Sequence, residues 1–93
     1  MCFRGYILIR IKTIGTEWKV AEKLSRLKSA NNEEKWSVTY VTPVYGNWDI
    51  IVECSFSKLK ELNKIETFIR LDEDLSQWIE ETTTLIGTNA NFK

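Results

Sequence analysis

Isoleucine occupies every second position from Ile7 to Ile11, and Tyr6, Leu8, Arg10 and Lys12 alternate with it. A period of two belongs to a half-buried strand, so residues 5–13 are predicted as the first strand. The period then changes. Val20, Ala21, Leu24 and Leu27 recur at steps of three and four, while Lys19, Lys23, Arg26 and Lys28 fill the wet positions. That spacing predicts a helix to about Lys28, with Gly15 as punctuation, Thr16 as N-cap and Glu17 in the first turn. Asn31 and Asn32 close the segment.

Trp36 to Val44 alternates again, with Val38, Tyr40 and Thr42 on one side and Val41 on the other. Pro43 has no N–H to give to a ladder, which places this second strand at a sheet edge. A third strand runs from Trp48 to Phe56. Ile50, Val52 and Cys54 share one face, and Asp49, Ile51 and Glu53 share the other. Ser57 caps a second helix that ends near Arg70, with Leu59, Leu62, Ile65, Phe68 and Ile69 as its apolar stripe. Asp72-Glu73-Asp74 reads as a solvated turn, and the threonine-rich stretch from Ile79 to Gly87 reads as the last strand. The tail 89–93 is expected to fray.

The order is βαββαβ, which predicts an α+β, ferredoxin-like fold: a four-stranded antiparallel sheet with two helices on one face. Ile7, Ile9, Ile50, Val52, Leu24 and Leu62 form the expected helix-facing core. Two helices cover only one side of such a sheet. The other side carries Tyr6, Leu8 and Ile51, which makes it a candidate dimer interface. Tyrosine and tryptophan are enriched in interface cores, and this chain holds four tryptophans.

Composition narrows the picture further. Ninety-three residues make one domain, 1–93. A chain of this size buries roughly two thirds of its unfolded surface and gains from association. Thirteen basic and thirteen acidic side chains cancel, so there is no general attraction to nucleic acid or anionic membrane. Residues 1–30 hold seven Lys or Arg against two Glu, so the charge is polarised along the chain. Neither Cys2 nor Cys54 has a metal-ligand neighbour, and no CxxC occurs, so no metal and no cofactor are expected. Arg10 and Lys12 interrupt the apolar start too early for a signal peptide or a membrane span, which predicts a reduced, cytoplasmic protein.

The candidate chemistry lies at Tyr45-Gly46-Asn47-Trp48-Asp49, just before the apolar Ile50-Ile51-Val52. Gly46 permits a sharp turn, and Asp49 stands at the mouth of a strand, where a carboxylate suits a small cation or amine. Backbone amides at Gly46 and Asn47 suit a carboxylate. Thr82 and Thr84 are two apart on a strand, so their hydroxyls face one way. Each feature also has a plainer explanation: Asp49 bracing the turn, Gly46 making it, and threonines favouring strands.

Val44-Tyr45-Gly46-Asn47-Trp48-Asp49-Ile50-Ile51-Val52, with Thr82-Thr83-Thr84-Leu85-Ile86 and Tyr6-Ile7-Leu8-Ile9, resembles the effector-binding (RAM) module of the Lrp/AsnC transcription regulators. The resemblance covers nearly the whole element order. It implies a homodimer through the sheets, a higher ring of dimers, and an amino acid or related small molecule bound near the Gly-x-x-Asp turn. Tyr45, Gly46, Asn47, Trp48, Asp49, Thr82 and Thr84 are then the ligand-binding residues. Family members also carry a helix-turn-helix ahead of this module. The first strand here begins within a few residues of Met1, so a stand-alone module is expected, acting as an oligomer or by associating with full-length regulators, with no direct contact to DNA or RNA. Leu71-Asp72-Glu73-Asp74-Leu75 departs from the family, which has a short Pro-Gly-type turn there.

Other classes fare less well. The chain has no histidine, and adjacent Glu80 and Glu81 point to opposite faces of a strand, so no general acid–base pair is evident and no catalytic residue is assigned. Cys54 has no histidine to activate it, and no Gly-rich phosphate loop occurs. Small dimeric monooxygenases share the fold and remain the enzymatic alternative, with a purely structural oligomerisation module beside them. RNA-recognition domains share it too, but Asp49 and Glu53 would repel phosphate on the face that meets RNA.

Overall fold

The computed structural model describes residues 3–29 and 34–87. Cys2, Asn31, Asn32 and the 89–93 tail lie outside these residues. Strand β1 (Phe3–Ile11) is followed by helix α1 (Glu17–Leu24), strands β2 (Ser37–Pro43) and β3 (Ile50–Phe56), helices α2 (Leu59–Leu71) and α3 (Glu73–Trp78), and strand β4 (Ile79–Ile86). The sheet order is β2-β3-β1-β4, with every neighbouring pair antiparallel. This is the expected α+β, ferredoxin-like arrangement. Pro43 ends a strand at the sheet edge, where its missing N–H is harmless.

The period-two pattern sorts the faces. Ile7 and Ile9 of β1 and Ile50 and Val52 of β3 turn toward the helices, and Leu24 and Leu62 meet them there; all six are 2% exposed or less. Val20, Ile65, Ile69 and Leu75 complete the layer. Each such aliphatic side chain stabilises the fold by about 1.5–3 kcal/mol through burial alone. No helix among the described residues is long and apolar enough to cross a membrane.

Strand β2 departs from the expected alternation: a register shift between Val38 and Tyr40 turns Val38 and Val41 to the core and Tyr40 and Thr42 to the open face, so Val38, Tyr40 and Thr42 do not share a side. Three further elements differ from the sequence expectation. Helix α1 stops at Leu24, not near Lys28. Leu27 still packs on the core, but from an extended segment. The Val38 amide donates to the Leu27 carbonyl at 2.9 Å and the Ser29 amide to the Trp36 carbonyl at 2.8 Å, so residues 27–29 line the β2 edge. A helical spacing of Leu24 and Leu27 was satisfied by a strand-like path.

The second difference is at the N-terminus of α2. Lys58, not Ser57, is the N-cap residue. Buried Glu61 reaches back instead, and its Oε1 accepts from the Ser57 amide at 2.7 Å and the Lys58 amide at 3.2 Å.

The third is a third helix, so the two-helix expectation is corrected. Asp72 caps α3 by accepting from the Leu75 amide at 3.0 Å, which makes the acidic run a helix start, not a solvated turn. Lys23 of α1 reaches both Asp72 at 2.9 Å and Asp74 at 3.0 Å. The Asp72 carboxylate raises the Lys23 pKa, and Lys23 lowers that of Asp72. Leu75, fully buried, then fastens α3 to the core.

Candidate functional site

The β2–β3 connection is a tight turn closed by the Val44 amide donating to the Asp49 carbonyl at 2.9 Å. Gly46 has φ +125°, a conformation that costs a side chain strain and glycine little. Tyr45 stands fully in solvent. The Asp49 amide donates to the Ile9 carbonyl at 2.9 Å, and the Asp49 Oδ2 accepts from the Ile11 amide at 2.9 Å. Asp49 therefore braces the end of β1 against the start of β3. Its second oxygen, Oδ1, has no partner among the described residues.

Arg10 lies on the sheet face away from the helices, in register with Glu81. Its guanidinium sits 4.7 Å from the Trp48 ring centroid, donates to the Asn47 carbonyl at 2.9 Å, and pairs with Glu81 at 2.6 Å. One cation thus joins the turn to β4 across two strands. Sequence reasoning missed it, because Arg10 stands 37 residues from Asn47 and reads only as the polar member of an alternating strand.

The threonines face the other way. Thr84 is opposite Ile7 and Thr82 opposite Ile9, and directly paired residues share a face, so both turn toward the helices. The Thr84 hydroxyl donates to Glu66 of α2. Thr82 borders a cleft of about 260 Å³ with Glu66, Ile69 and Arg70 of α2, Ser76 of α3, and Ile79 to Glu81 of β4. The Gly46–Asp49 turn and Thr82 therefore meet at one end of the sheet, linked through Ile9, but Trp48 and Thr82 lie on opposite faces. Glu66 and Arg70 carry no sequence signal beyond that of helix-surface charges.

Opposite the helices, Leu8 is flanked by Ile51 and Thr83, and Tyr6 by Glu53 and Leu85. Tyr6, Leu8 and Ile51 are half-buried, with no helix among the described residues on their face, and Leu85 and Tyr40 are exposed. Cys54 is buried, its thiol close to the Gly5 carbonyl, and burial pushes its pKa to about 11, so it is no ready nucleophile.

No known family pattern matches the chain, and no curated protein does. Solved structures do. FFRP-DM1, a feast/famine regulatory protein, is 30% identical, with a TM-score of 0.64, over 91% of this chain and 97% of that one. The chain belongs to the feast/famine regulatory, or Lrp/AsnC, family. A hypothetical protein from Pyrococcus horikoshii, PHS023, is likewise 30% identical, with a TM-score of 0.65, over 98% of this chain and 94% of that one.

Proposed function

We propose that this chain is an effector-binding module of a transcription-regulatory assembly, taking an amino acid or related small molecule and acting as a homodimer or a ring of dimers. The observation that carries the reading is the likeness to a feast/famine regulatory protein domain along almost the full length of both chains. The ligand seat is the sheet end where the turn, Asp49 and Thr82 meet. Asp49 Oδ1 is open to an ammonium there, and the amides of the Gly46 turn are suited to a carboxylate. The second copy covers the face of Tyr6, Leu8 and Ile51, over which no helix lies among the described residues. DNA contact falls to full-length regulators that join the assembly, and the chain works in the cytoplasm without a cofactor. Binding, not catalysis, is its role.

Light scattering with and without a mixture of the twenty amino acids tests this reading. The expected result is a dimer or larger species whose distribution shifts when ligand is added. A monomer at micromolar concentration, unchanged by any amino acid, would refute it.

A further inference from the structure

The cleft between α2 and β4 holds two opposite charges that normally would find each other. Glu66 and Arg70 are four apart on α2, the spacing at which a glutamate and an arginine pair along a helix surface. They form no ion pair. Glu66 is drawn instead to the Thr84 hydroxyl, and the exposed Arg70 side chain has no partner among the described residues. Both line the cleft, over a floor that includes buried Ile69 and half-buried Ile79. A carboxylate and an unpaired guanidinium beside an apolar floor complement the two ends of a zwitterion. The volume of about 260 Å³ falls just below the range of about 300–1,000 Å³ typical for drug-sized ligands, which suits a single small metabolite.

The remaining charges choose among zwitterions. Glu81 is already paired with Arg10 on the opposite face of the sheet. Glu80, also lining the cleft, has no side-chain partner among the described residues. Glu66 and Glu80 thus face Arg70 alone, an excess of one negative charge. We infer that the cleft binds an amino acid with a cationic side chain, its carboxylate on Arg70 and its two cationic groups on Glu66 and Glu80. Thr82, at the rim, supplies a hydroxyl on the same side. This inference rests on the effector-binding reading for the ligand being an amino acid. It adds a second seat, on the helix side of Thr82 and separate from Asp49 and the Gly46 turn, and the charge class of the amino acid it takes.

Calorimetric titration of lysine, arginine, leucine and glutamate, and of 1,5-diaminopentane, into wild type and the variants E66Q and R70Q tests it. Lysine or arginine should bind more tightly than leucine or glutamate. E66Q should weaken binding of the basic amino acid and of the diamine by about tenfold or more, the scale of a lost charge-assisted hydrogen bond. R70Q should weaken the basic amino acid by a similar factor and leave the diamine bound at least as tightly, because the diamine has no carboxylate and loses a repelling cation. Glutamine keeps an acceptor for Thr84, and thermal melts of E66Q check that it is folded; if it is not, R70Q on the solvent-facing side decides. Tight binding of leucine that neither variant alters would overturn the cleft assignment and leave the effector-binding reading standing. No binding of any amino acid to wild type would overturn both.

Discussion

The Arg10 guanidinium donates two hydrogen bonds to the carbonyl of Asn47, at 3.2 Å from Nε and 2.9 Å from Nη2. The pair ties the middle of the sheet to a turn whose shape would otherwise depend on Gly46 and its own closing bond. Trp48 lies against the same guanidinium, and a cation over an indole adds about 0.5–1 kcal/mol at an exposed site. Arg10→Ala should therefore lower stability by about 1 kcal/mol, since the group is partly solvent-screened, and should redden and quench the Trp48 emission. Chemical denaturation and steady-state fluorescence read both. An unchanged spectrum and midpoint would show that the turn holds its form without Arg10.

Asp49 offers a sharper contrast. Asp49→Ala leaves the Ile11 amide without its acceptor, and a part-buried orphan of this kind costs about 1–3 kcal/mol. Asp49→Asn keeps a carbonyl oxygen at the same place and should retain most of the stability. Thermal melts of the two variants should separate clearly. Equal losses would mean that charge, not the hydrogen bond to Ile11, makes Asp49 matter.

Leu8 sits at the centre of the uncovered face, between Ile51 and Thr83. Leu8→Glu should place an unpaired charge in the proposed dimer interface and weaken association by several kcal/mol, roughly the scale seen when a buried charge lacks a partner. Sedimentation should then show a dimer for wild type and a monomer for the variant, with the fold intact by circular dichroism, since Leu8 is not among the helix-facing core. Identical sedimentation of both proteins would remove this face from the interface.

Glu61 predicts the acid limit of the fold. The Ser57 amide first, then the Lys35 amide, the Ser57 hydroxyl and the Lys58 amide hold its carboxyl down at about 2, against an ordinary value of 4.5. A carboxyl held low stabilises the folded state above its ordinary value and loses that contribution as pH falls toward the folded one. The gain should thus be complete above about pH 4.5 and vanish toward pH 2. Glu61→Gln should melt lower than wild type at neutral pH, and the gap should close on acidification. Parallel melting curves across this range would contradict the assignment.

The alternation of Ile7, Leu8 and Ile9, and of Ile50, Ile51 and Val52, was enough to sort the two sheet faces, because a strand shows its register in every second residue. What failed were places where distance in sequence hides a partner. Leu27 keeps helical spacing from Leu24, yet Trp36 and Val38 capture its segment as a sheet edge. Asp72 and Asp74 look solvated until Lys23, about fifty residues earlier, is brought beside them. The site divided in the same way. Gly46 as the turn maker is local and was legible, and so was the common orientation of Thr82 and Thr84; Asp49 was expected to brace its own turn, whereas its carboxylate accepts from Ile11, 38 residues away on β1. That these threonines turn to the helices, and that Arg10 reaches Asn47, depends on strand order and on pairing across β1. Period and composition do not encode either.

The central claim is that this chain binds an amino acid. Calorimetric titration of wild type with each of the twenty tests it most directly. The account predicts saturable binding of at least one, tightest for a basic side chain, at micromolar to low-millimolar concentration, roughly 4–8 kcal/mol of binding free energy. Flat titrations with all twenty at millimolar concentration would contradict it.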